Sequence, residues 1–137
     1  KDRVAQEMET IHQETGLEFF HRDAENVLAC DFLLLVGVKD RPLMMTHCGL
    51  CGFADCQENR AGGGRCTFNL TDLGVALGSA VSIASQERID SRIFYSAGKA
   101  ALRLGLLGEE VKTLYAIGLS VTSKNIFFDR GPRVILK

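Results

Sequence analysis

Four of the five cysteines fall within nineteen residues: Cys48, Cys51, Cys56 and Cys66, spaced CxxC, then four intervening residues, then nine. Thiolates this dense in a glycine-rich stretch point to a metal centre, because soft sulfur donors select iron–sulfur clusters or zinc. A CxxC turn delivers two thiolates and a short loop brings a third from another direction, as a cubane cluster requires. Gly49 and Gly52 each follow a cysteine, where positive φ turns main-chain N–H groups toward sulfur and tunes the redox potential. Cys66 returns as a fourth ligand after the flexible run Gly62-Gly63-Gly64, and Arg60 and Arg65 stand where they offset part of an anionic cluster's charge. Zinc is the nearest rival. Four-cysteine zinc sites normally pair one CxxC with another, so the isolated Cys66 favours iron–sulfur, with redox thiols or disulfides as a third reading. His47 precedes the first cysteine and reads as a loop residue, since four thiolates already suffice.

The elements that must carry this loop belong to one domain, residues 1–137, with the cluster loop at about 39–69. At 46% hydrophobic and 24% charged, 137 residues build one soluble core. Sixteen basic against seventeen acidic residues leave a net charge of −1, which excludes a global field for nucleic acid or an anionic membrane. The chain opens on Lys1 without the pattern of a secretion signal, which leaves room for an upstream segment. No run approaches the roughly 18–20 uninterrupted apolar residues of a membrane span. Thr71, Asp72, Ser79 and Ser82 break the stretch from Leu70 to Ala84. An odd cysteine count argues against a secreted disulfide framework and for the reducing cytoplasm. Cys30 stands apart beside an apolar run and reads as a small core hydrophobe.

Arg3 to Thr15 and Leu17 to Leu28 carry apolar residues at helical spacing, with Gly16 between them as a stop. Phe32 to Val38 is a continuous apolar run, which predicts a central strand buried on both faces. From Lys39 to about Asn69 the periodicity vanishes among Pro42, Gly49, Gly52 and the glycine triplet. Asn69 or Thr71 is the predicted cap of a helix bearing Leu73, Leu77, Ala80, Val81 and Ala84. Small residues recur every fourth position along it, which predicts tight core packing, with a homodimer seam as the sharper alternative. Ile93 to Leu106 reads as a further helix, Val111 to Leu119 as a strand, and Val134-Ile135-Leu136 as an edge strand. The class is α+β, a small central sheet covered by helices with an inserted cysteine-rich loop. His12 and His21, nine residues apart, are too distant in sequence for an adjacent-turn metal pair, and no GxSxG or P-loop pattern is present.

Several segments carry a resemblance: Gly16-Leu17-Glu18-Phe19-Phe20 with Arg22 to Val27, the CGLCGFADC loop, Asp72 to Val81, and Ser123 to Arg130. Across almost the whole chain they resemble uncharacterised bacterial and archaeal proteins containing a ferredoxin domain. The cysteine spacing also looks like the CxxCxxxxC loop of corrinoid iron–sulfur and related electron-transfer proteins, with a shorter gap to the fourth cysteine. These resemblances imply an iron–sulfur site, 4Fe-4S in type, held by Cys48, Cys51, Cys56 and Cys66, and electron exchange with a redox partner protein. More faintly, the helix from Leu73, the Ala100 to Leu106 segment and the strand ending Ile117-Gly118-Leu119 resemble flavin-dependent nitroreductases. That likeness implies a nitroreductase-like dimer, an oxidoreductase with FMN, and a flavin-phosphate role for Lys124 and Arg130. The expectation is therefore an electron-transfer protein, with an FMN reductase or a structural zinc protein as alternatives, binding neither nucleic acid nor membrane.

Overall fold

The computed structural model describes residues 1–128, so Arg130 and the strand expected at Val134-Ile135-Leu136 lie outside the described residues. Among the described residues, five helices and three strands follow in the order α1 (Asp2–Thr15), α2 (Glu18–Ala29), β1 (Phe32–Lys39), α3 (Cys56–Ala61), α4 (Thr67–Gln86), β2 (Asp90–Phe94), α5 (Tyr95–Arg103) and β3 (Val111–Ser120). The strands form one antiparallel sheet in the order β1-β3-β2. The α+β class expected from the pattern holds.

Alternation along β3 divides the interior into two layers. Leu114 and Ala116 face a large apolar cluster built with Val4, Met8, Phe20, Val27 and Phe94, which belongs to α1, α2 and the β2–α5 junction. Ile117 faces the other way, onto Leu73 and Leu77 of α4, with Val36, Val38 and Tyr115 packed alongside. Helix α5 lies close on β3 because Gly98 carries no side chain; a Cβ there would collide with the Leu114 carbonyl oxygen.

Several expectations need correction. Among the described residues β1 is an edge strand, and the central position belongs to β3. Phe32 is 72% and Leu34 45% exposed, because an apolar run specifies a strand without saying which partner covers it. Asp90–Phe94, in part read as helix, is β2, paired from Asp90↔Ser120 to Phe94↔Ala116. The edge of β3 away from β1 supplies the hydrogen bonds that settle so short an ambiguous run. Helix α4 begins at Thr67 with Cys66 at its N-cap, two residues before Asn69. Asn69 is already the third residue of the helix, and its Nδ2 donates to the Lys39 and Arg41 carbonyls at 3.3 and 2.9 Å.

The small residues of α4 also lie differently from the expectation. Gly74, Gly78 and Ser82 are exposed together with Val75 and Ile83, while Leu73, Leu77 and Ala84 make the buried stripe. By length and composition alone α4 is long and apolar enough to cross a membrane, contrary to the reading of its polar interruptions. Here it serves as the cover of one sheet face.

Candidate metal centre

The cysteine loop springs from the end of β1 and returns at the head of α4. Its base is tied by charge and amide bonds. Glu110 accepts from Lys39 Nζ at 2.6 Å and Arg41 Nη2 at 2.7 Å, and Arg65 Nη1 donates to Asp40 at 2.7 Å. The Arg65 charge, expected to offset a cluster, is thus paired with a carboxylate. The two cations hold the Glu110 carboxyl at about 2, below its ordinary 4.5. A depressed carboxyl contributes stability above its ordinary value that is lost as pH falls through 4.5 toward 2. In the metal-free protein the amide of Asp40, bonded to the Glu110 carbonyl at 3.2 Å, therefore loses exchange protection across that window. E110Q flattens the dependence; an unchanged profile in E110Q rejects the assignment.

Within the loop one feature was not expected: α3, which starts at Cys56. Asp55 caps it, accepting from the Glu58 N–H at 2.8 Å, while Glu58 Oε2 accepts from the Ala54 N–H at 2.6 Å. The D-x-x-E spacing of a capping pair was the legible signal. Gly49 and Gly52 adopt φ of 60° and 87°, the left-handed region foreseen for them.

All four cysteines line one cleft, walled by Pro42, Leu43, Met45, Leu50 and Phe68. Cys66 is buried; Cys48, Cys51 and Cys56 are half-buried. Cys56 Sγ lies 3.7 Å from the Met45 carbonyl, to which it donates. Donor type and number fit an iron–sulfur group, and the apolar wall suits one. Among the described residues, no three His, Cys, Asp or Glu side chains are grouped so as to hold a metal ion. Asn59 also lines the cleft, and sequence reasoning missed it, because an asparagine in a polar stretch carries no mark of burial.

Cys30 is separate, as expected. Its Sγ donates to the Val27 and Phe32 carbonyls at 3.1 and 3.2 Å, and burial pushes its thiol up from 9.0. Lys124 follows β3 at the end of the sheet opposite the cleft, across the length of β1, about 26 Å for an eight-residue strand. His12 and His21, distant in sequence, are brought by the α1–α2 hairpin to a ring separation of 5.6 Å, with His21 Nδ1 2.8 Å from Glu9.

Residues 62–130, about half of the chain, match a family described as uncharacterised proteins containing a ferredoxin domain (DUF2148). The matched segment takes in Cys66, α4 and β3; Cys48, Cys51 and Cys56 precede it. A curated protein of Archaeoglobus fulgidus, carrying the name "Uncharacterized protein", is 38% identical over 140 residues, which span 96% of this chain and 74% of that protein. No solved structure matches.

Proposed function

The chain belongs to the DUF2148 family of proteins containing a ferredoxin domain, and from that premise we propose that it is an iron–sulfur protein that relays electrons, with Cys48, Cys51, Cys56 and Cys66 as the ligands. The observation that carries this reading is the convergence of all four cysteines on one apolar-walled cleft. A 4Fe-4S cluster held there by the four cysteines would supply a one-electron couple.

The surrounding residues favour such a group. Cys66 stands at the N-cap of the twenty-residue α4, where the partial positive charge of the helix end favours negative charge on sulfur. Leu43, Leu50 and Phe68 give the cleft an apolar lining, which suits such a group. A single zinc ion would need its four sulfurs about 3.8 Å apart, from Zn–S bonds of about 2.3 Å, whereas a cluster takes each cysteine on a different iron. Four cysteines lining one cleft supply the number and type of donor that such a cluster takes. Leu43, Met44, Met45 and Leu50 are exposed in the cysteine loop, an apolar surface for a redox partner protein.

Protein purified without oxygen is expected to carry iron and acid-labile sulfide near stoichiometric with the cluster, with visible charge-transfer absorbance that bleaches on reduction. Colourless protein containing zinc alone overturns the reading.

A further inference from the structure

We propose that Asn59 is a positioning residue of the thiol cleft: its side-chain amide clasps the main chain just before Cys66 to the helix that opens with Cys56, fixing two of the four sulfurs relative to one another. The inference rests on the iron–sulfur reading of the cleft.

Asn59 is 1% exposed, whereas its neighbours Glu58, Arg60 and Ala61 are exposed. An amide is buried at a cost unless it is bonded. The side chain meets part of that cost with one bond, and the main chain adds two more. Its Nδ2 donates to the Arg65 carbonyl at 3.2 Å, its main-chain N–H to the Asp55 carbonyl at 3.1 Å, and its own carbonyl accepts from the Gly64 N–H at 2.8 Å. One residue thus joins α3 to both positions that precede Cys66. Cys56 and Asn59 are three apart on α3 and so share a face, which places the clasp on the side that carries the sulfur.

The glycine triplet completes the arrangement, and it is not the loose linker its composition suggests. A Cβ on Gly64 would stand 2.5 Å from Asn59 Nδ2 and 2.6 Å from the Phe53 ring; one on Gly62 would stand 2.8 Å from the same ring. The amide and the ring occupy the space that side chains at 62 and 64 would need. With Nδ2 committed to Arg65, Oδ1 is left buried without a partner among the described residues. An apolar side chain would fill the space without that penalty, so the asparagine is explained by the bond it makes rather than by packing.

The test uses the whole chain in two states. In the reduced, metal-free protein, alkylation of each cysteine by iodoacetamide is followed by mass spectrometry. N59A and N59D are expected to raise the Cys66 rate by about tenfold, the equivalent of one lost hydrogen bond, and to leave buried Cys30 unchanged. N59D keeps the shape but cannot donate to the Arg65 carbonyl, so it separates the clasp from space filling. After anaerobic reconstitution, both variants are expected to hold less iron and to shift the electron paramagnetic resonance signature of the reduced state. G64A is expected to behave like them, and N59A/G64A to be no worse than G64A alone, because the colliding amide is gone. Wild-type Cys66 reactivity in N59A and N59D, or a parallel rise at Cys30, overturns the proposal. A wild-type chain that takes up no iron, with Cys66 still unmasked by N59A, removes the iron–sulfur reading and leaves the clasp standing.

Discussion

Replacing Cys66 with serine is expected to abolish cluster retention: C66S, reconstituted without oxygen, holds less than about a tenth of the wild-type iron and sulfide, since losing even an outer hydrogen-bond partner of a ligand costs about 10- to 100-fold in metal affinity. Cys66 is the buried member of the four and the one seated at the head of α4, whose inner face is fixed to the sheet by Leu73 and Leu77. Cys48 and Cys51 lie on loop backbone, and Cys56 opens a helix of six residues. A hydroxyl at position 66 is a hard donor that stays protonated at neutral pH, so it does not replace the soft anionic ligand. C30S is the control. Its sulfur is spent on the Val27 and Phe32 carbonyls, away from the cleft, and iron content should match wild type. Full iron in C66S would remove that cysteine from the ligand set.

The largest effect on stability is expected far from the cysteines, at Asp23. This carboxylate is 5% exposed and accepts from Ser96 Oγ at 2.7 Å and from Arg22 Nη2 and Nε at 2.8 and 3.1 Å, with Arg92 Nη2 at 3.5 Å. It therefore ties α2 to the start of α5 and to β2. D23A leaves two largely buried guanidiniums without this anion, in a site where Arg22 Nη1 already has no partner among the described residues. Breaking a buried pair from one side costs about 3–5 kcal/mol. For a domain of this size that corresponds to a melting temperature lower by roughly 10 °C or more. Urea unfolding of the metal-free protein measures it directly; a loss below about 1 kcal/mol would show that the network is solvated rather than structural. D23N, which keeps the shape and one acceptor, should fall between the two.

Much of the helical framework was legible because its signals are local. Gly16 ends α1 with φ of 71°, and the apolar spacing of α1 and α2 matches their buried faces. The strand at Val111 and the strand at Phe32 were also readable as strands. Their places in the sheet were not. An edge strand and a central strand can share one apolar composition, and only pairing on both sides of β3 decided which was which. The same holds for Asp90–Phe94, too short for period alone to separate strand from helix.

For the site, sequence by itself determined the chemistry: four thiols, their spacing, and glycines able to turn the chain between them. Those are properties of residue type and of neighbours along the chain. Tertiary structure decided what those thiols share. It placed Cys66 at a helix head rather than in a loop, spent Arg65 on Asp40, and set Lys124 at the far end of the sheet. It also turned the glycine triplet from a flexible run into a packing surface for Asn59 and Phe53. Each of these depends on which distant residue arrives alongside, and hydrogen bonding and burial between segments leave no periodic trace in the sequence.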